Sequence, residues 1–363
     1  MHRSPALFAL PAAALLILSG CVSADRTGVG APTAEMSDIL SERAAMHAKE
    51  RSSVSLQEAR DVPSLVEAGH AIYNVQGLPS PGIEVSQLSQ PTASGAAGSI
   101  GATLYRPALA KNTPIIVYFP GGTWATRRDD EADETARQLS IRTGWIVVTL
   151  RPRLAPEARF PAIHDDALAA YQWARGQMRS WGADPTRVVL AGEGPGANLA
   201  LSTTLTARER NLPPPDGLVL ITPWAGTVTN TPTMSTYGGS PPLTRSTVRW
   251  SQNQYAPDNL SDPRIDLAAR RDLAGLPATM IVVADLDPQR SEAETLAANL
   301  TQAGTRVDLR RYAGVTADFF GLGAYVPRAG EAEQDVASAL KARFDRPQPV
   351  PPARPASRSR ARR

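Results

Sequence analysis

The sequence predicts an α/β fold, a mainly parallel central sheet flanked by helices. Three observations carry that prediction. Five short apolar runs are continuous rather than alternating: "TPIIVYFPGG" from Thr113, "WIVVTLRPR" from Trp145, "RVVLAGEG" from Arg187, "DGLVLITPW" from Asp216 and "ATMIVVADLD" from Ala278. Strands covered on both faces read this way. Helical patterns separate most of the runs, as in "PAIHDDALAAYQWARGQMRSW" from Pro161 and "EAETLAANLTQAG" from Glu292, and such alternation implies parallel crossovers. The composition, 42% hydrophobic and 20% charged over 363 residues, is that of a packed domain.

Taken in chain order, the first segment is not part of the domain. His2 and Arg3 precede the apolar run "ALFALPAAALLILSG", which contains Pro11 and is short for a membrane span. Residues 1–20 therefore read as a secretory signal peptide. The run stops at "LSGC", Leu18 to Cys21, which resembles a bacterial lipobox. The resemblance implies a lipidated Cys21 and a membrane anchor. Val22 after it implies an outer-membrane lipoprotein facing the periplasm, with a secreted periplasmic protein as the alternative. Cys21 is the only cysteine, so no intrachain disulfide can form. Residues 21–35, rich in Gly, Ala, Ser and Thr, read as a tether.

The domain is expected over residues 36–345. Residues 36–80 form a helical cap segment, opening on the Ser37/Asp38 cap signal. "GIEVSQLSQ" from Gly82 and "SIGATLYRP" from Ser99 alternate in the manner of a half-buried hairpin. The Thr/Ser/Pro/Gly-rich stretch at about 225–260 is an insertion, and a lid over a pocket is expected there. Residues 346–363 hold six arginines, five prolines and no acid, a composition that buries no core and predicts a disordered tail. The whole chain is +3, so the remainder is −3 once this tail is set aside. The basic balance therefore belongs to the tail, which suits an anionic envelope polymer or protein partner, and implies no nucleic-acid surface on the domain.

The segment "VVLAGEGPGANLA", residues 188–200, reads as a strand, a tight glycine turn and a helix start. That geometry holds the nucleophilic serine of G-x-S-x-G hydrolases, but here the serine position is Gly194. The surrounding motifs make the likeness specific. "YFPGGTW" resembles Y-F-H-G-G-G-x, "PRLAPEARFPA" is close to R-L-A-P-E-x-x-F-P-A, and "AGEGPGANLA" is similar to G-D-S-A-G-G-N-L-A. "LDPQRSEAETLAANL" follows the D-P-L-x-D segment and "YAGVTADFFGLG" follows the one with H-G-F. From about Val66 to Phe344 the chain thus resembles an α/β-hydrolase of the hormone-sensitive-lipase-like esterase family.

The resemblance implies a catalytic triad, and it exposes what is missing. Gly194 stands at the nucleophile position and Ala317 at the base position, and no histidine lies beyond the elbow. Asp287 matches the acid, although an Asp before Pro288 also suits a turn. Glu193 is expected to pack locally, and His164 to be surface or packing. Pro195 has no N–H to give an oxyanion, and Pro120 and Thr123 interrupt the glycine segment, which leaves Gly121 and Gly122 as donors. Losing either serine or histidine costs about 10⁶ in kcat in subtilisin, and a missing oxyanion donor about 10²–10³. On this count the sequence predicts a catalytically inactive pseudo-hydrolase that binds a small hydrophobic or acyl ligand, or serves as an envelope scaffold. Gly121, Gly122, Thr123, Trp124 and Pro195 would line its pocket, with Trp124 offering a broad face to the ligand. The alternative is a carboxylester hydrolase working through non-standard residues, such as Ser202 or Thr123. No cofactor or metal is expected.

Overall fold

The five apolar runs become the centre of one eight-stranded sheet. The structure is a computed structural model and describes residues 30–74, 82–90 and 100–344. The expected signal peptide, Cys21, most of the tether and the Arg/Pro tail lie outside the described residues. The strands are β1 (Ile83–Gln90), β2 (Ile100–Pro107), β3 (Thr113–Phe119), β4 (Ile146–Leu150), β5 (Ala183–Glu193), β6 (Gly217–Ile221), β7 (Thr279–Ala284) and β8 (Val307–Tyr312). Their order across the sheet is β1-β2-β4-β3-β5-β6-β7-β8. β1 and β2 pair antiparallel from Ile83 opposite Pro107 to Gln90 opposite Ile100, and β2 meets β4 antiparallel. Every later pair is parallel.

The core sits on both faces of this sheet because each central strand supplies both. On β3, Ile115, Val117 and Phe119 enter one cluster while Ile116 and Tyr118 enter the other, the period of two that a pleated strand imposes. The first cluster takes α5 (Ala162–Gln177), α6 (Pro195–Glu209), α8 (Arg245–Tyr255) and α9 (Arg290–Gln302). The second takes α1 (Ala34–Ala45), α3 (Leu65–Tyr73), α4 (Asp129–Thr143) and α10 (Pro327–Phe344).

One boundary differs from the sequence reading. The first helix starts at Ala34, inside the expected tether, because the Thr33 hydroxyl accepts from the Met36 N–H and the Thr33 N–H donates to the Gly314 carbonyl at 2.9 Å. Ser37 is thus inside α1 rather than at its cap. The insertion at 225–260 carries α7 (Pro232–Tyr237) and α8. Its Thr244 hydroxyl donates to Glu50 at 2.6 Å, so the N-terminal segment and the insertion are joined. The short helix α2 (Leu56–Arg60) is pinned as well: Arg60 Nε donates to the Ala125 carbonyl at 3.1 Å, and its guanidinium pairs with Glu157 at 2.6 Å.

Candidate active site

In a parallel sheet the loops at the carboxyl ends of the strands are where chemistry is built. Three of them carry the residues singled out above: the loop after β3, the turn from β5 into α6, and the loop after β7.

The turn after β5 keeps the backbone of a nucleophile elbow. Gly194 has φ 50° and ψ −120°, its N–H donates to the Ile221 carbonyl at 2.9 Å, and its carbonyl accepts from Trp224 N–H at 3.1 Å. A Cβ on Gly194 would meet ordinary contacts, the nearest being Trp224 Nε1 at 3.6 Å. A Cβ on Gly196 would instead stand 2.1 Å from the Phe119 carbonyl oxygen. The tight turn therefore demands glycine at 196, while position 194 has room for a side chain it does not have.

The Glu193 side chain lies against Gly121 and Tyr118. It is 5% exposed, the Tyr118 hydroxyl donates to its Oε2 at 3.1 Å, and its Oε1 has no partner among the described residues. Burial, then the charges of Asp318 and Glu131, push this carboxyl well above the usual carboxylate range.

The loop after β3 folds back on itself. Thr123 and Thr126 exchange backbone hydrogen bonds of 3.0 and 2.9 Å, and their hydroxyls lie 2.9 Å apart. Gly122 has φ 119°, and a Cβ there would strike the Thr126 carbonyl at 2.2 Å. The N–H groups of Gly121 and Gly122 make no hydrogen bond among the described residues, so both remain free to donate. Pro120, Gly121, Trp124, Pro195 and Gly196 line a cavity of about 30 Å³, room for a water or two.

Trp124 does not present the free face expected of it. It is 5% exposed, with Tyr255 of α8 stacked on it at 4.5 Å and His164 at 5.6 Å. His164 belongs to this packed stack: it is 5% exposed, Nδ1 meets the Tyr255 hydroxyl, Nε2 lies 3.1 Å from the Arg264 carbonyl, and burial pulls its pKa down to about 4. The hydroxyls put forward as substitute nucleophiles are equally closed off. Thr123 is tied to Thr126, and Ser202 is 2% exposed on α6.

After β7, Asp287 is 1% exposed, its Oδ1 accepts the Gln289 N–H at 2.8 Å, and it has no ion-pair partner among the described residues. Burial is the largest cause that raises its pKa to about 7, and the charge of Asp318 adds to it. β5, β6 and β7 are neighbours, so Asp287 and Gly194 leave the sheet two strand spacings apart, roughly 10 Å. Trp224 lies after the strand between them, with its backbone tied to Gly194.

Sequence reasoning missed Asp318. It follows Ala317, which is 3% exposed at the base position, and it takes the left-handed conformation at φ 60°. The signal was present: in H-G-F this position is glycine, and an aspartate there is a non-glycine residue held in a strained region beside a site. Burial raises the Asp318 carboxyl, with Arg51 and Arg43 pulling the other way. Glu131 is raised to about 8, by burial first and then by Asp318. Asp287, Glu193 and Glu131 thus all feel the charge of Asp318.

The comparisons with known proteins bear directly on this site. Residues 116–321 match the family model described as alpha/beta hydrolase fold. "Carboxylic ester hydrolase LipN" of Mycobacterium tuberculosis is 34% identical over 282 residues, 75% of this chain and 74% of that protein. "Ethyl acetate hydrolase" of Pseudomonas putida is 31% identical over 265 residues, 71% of this chain and 82% of that protein. A thermostable esterase from Pseudomonas putida ECU1011 superposes with a TM-score of 0.78 at 25% identity, over 87% of this chain and 98% of that one.

These relatives correct the expectation of an inactive binding or scaffold protein. Proteins that share most of the domain at 31–34% identity are named as ester hydrolases, which favours the alternative of hydrolysis through non-standard residues. The assignment as probably not an enzyme is corrected on the same ground. With its parallel sheet, its elbow and its named relatives in agreement, this chain belongs to the alpha/beta hydrolase fold family.

Proposed function

We propose that this protein hydrolyses small carboxylic esters by direct attack of a water molecule, with Asp287 as the general base. The observation that carries the reading is a buried Asp287 carboxyl, without an ion-pair partner among the described residues, two strands from an elbow with no side chain. In the family the serine and histidine side chains fill the space between those points. Here positions 194 and 317 carry neither the nucleophile nor the base. The names of the relatives support the substrate class.

The step balances without an acyl-enzyme. As the water oxygen bonds to the ester carbonyl carbon, Asp287 takes its proton and the carbonyl electron pair moves to oxygen. The N–H groups of Gly121 and Gly122 receive that oxyanion, the role such donors serve in acyl transfer. Collapse breaks the bond to the leaving alcohol, which recovers the proton from Asp287, and the product acid releases its own proton to solvent. A positioned base contributes about 10²–10⁴ in rate, with the best pKa near the working pH. A carboxyl at about 7 meets that condition.

The test is turnover of p-nitrophenyl acetate by the purified chain, together with a single turnover in H₂¹⁸O. Expected are hydrolysis lost in Asp287→Asn, no labelling by a fluorophosphonate probe, and ¹⁸O in the product acid on the first turnover. Unchanged turnover in Asp287→Asn, or first-turnover ¹⁸O retained in the protein, overturns the mechanism. We extend the proposal to location: the lipobox-like Leu18–Cys21 supports an anchor at Cys21 and a place in the cell envelope.

A further inference from the structure

We infer that Trp224 is a positioning residue whose indole N–H holds the attacking water beside Gly194. Position 194 lacks a hydroxyl and Pro195 lacks an amide hydrogen, so neither can fix an oxygen at the elbow. The atom closest to the place a Cβ of residue 194 would occupy is Trp224 Nε1, at 3.6 Å. Indole nitrogen is a donor only, and this one makes no hydrogen bond to another described residue.

The ring is held where it is needed. The Trp224 N–H donates to the Gly194 carbonyl at 3.1 Å, and its own carbonyl accepts from Asn198 Nδ2 at 2.9 Å. Trp224 is 5% exposed, so packing fixes the indole as well as the backbone. It follows β6, between the strand that ends at the elbow and the strand that leads to Asp287. A water accepting from Nε1 keeps both of its protons, one for Asp287, and a lone pair for the carbonyl carbon.

This inference rests on the ester-hydrolase reading, and the two fail differently. Trp224→Phe keeps an aromatic ring and removes the donor. Expected are a roughly tenfold fall in kcat with KM unchanged, and a shift in product partition toward added hydroxylamine, because water loses its anchor while a competing nucleophile does not. Asp287-dependent turnover that Trp224→Phe leaves intact overturns the inference alone. Absence of any turnover in the unaltered protein overturns both.

A second measurement needs neither activity nor the Phe variant. Gly194→Ser places a hydroxyl in the same space, so the Trp224 indole proton should move downfield in the NMR spectrum relative to Gly194→Ala. Identical indole shifts in the two variants overturn the inference.

Discussion

Asp287→Asn tests the proposed base through stability as well as rate. The Asp287 carboxyl is raised from its ordinary 3.8 to about 7 by burial, so the folded state favours the protonated form. Below about pH 4 the group is protonated in both folded and unfolded chains and the folded state bears no penalty. As pH rises through 7 the buried carboxyl must ionise, and the contribution is lost. A displacement of that size corresponds to about 4 kcal/mol as a ceiling. Asparagine has the same shape and still accepts from the Gln289 N–H, but never ionises. Asp287→Asn should therefore match the unaltered protein near pH 4 and exceed it at pH 8. At the low end of about 2 °C per kcal/mol for a domain of this size, the gain in Tm reaches about 8 °C. Activity should move the opposite way, falling by about 10²–10⁴. Thermal unfolding at pH 5 and pH 8, with p-nitrophenyl acetate turnover at pH 8, reads both. A variant no more stable at pH 8 than at pH 5, relative to the unaltered protein, would refute the claim that an ionisable carboxyl is held out of water at this site.

Three further outcomes follow from the same geometry. Asp318→Asn keeps a residue that tolerates the left-handed region and removes a charge that adds to the burial-driven rise of Asp287; the inflection of the pH–rate profile should move below pH 7, and an unmoved profile disconnects the two residues. Gly196→Ala drives a Cβ to 2.1 Å from backbone and should cost more than about 4 kcal/mol in denaturant unfolding, whereas Gly194→Ala, with space but φ 50°, should cost about 1–2 kcal/mol. Cys21→Ala should shift the protein from the membrane to the soluble fraction of cell lysates, and an unchanged distribution removes the anchor.

The parts of this fold legible in sequence were those whose physics is local. The five central strands announce themselves because both of their faces are covered, so their runs are continuously apolar, as in residues 115–119 and 188–191. β8 does not, because Val307–Tyr312 is an edge strand with one buried residue, and its two arginines and one aspartate break any apolar run. The start of α1 was set from a distance: Thr33 is fixed by Gly314, a contact that Ser37 gave no hint of. Trp124 shows the same limit. Its type suggested a ligand face, and the Tyr255 ring that covers it lies on a helix more than a hundred residues further on.

The losses at 194, 195 and 317 disable acyl-enzyme chemistry, in which a nucleophile must attack and a second group must carry its proton. Direct hydrolysis needs less: one base, one water, and donors for the oxyanion. The base position in that scheme is not Ala317 but Asp287, whose type was plain in the sequence and whose environment was not. Burial turns a carboxyl that would be a weak base at 3.8 into one near 7, and the charge of Asp318 adds to that change. The water route should still be slower than a complete triad, since it gives up the covalent intermediate that splits one barrier into two. A rate between the uncatalysed reaction and that of an intact esterase, titrating with a single carboxyl, is the signature that separates it from both inactivity and a restored serine mechanism.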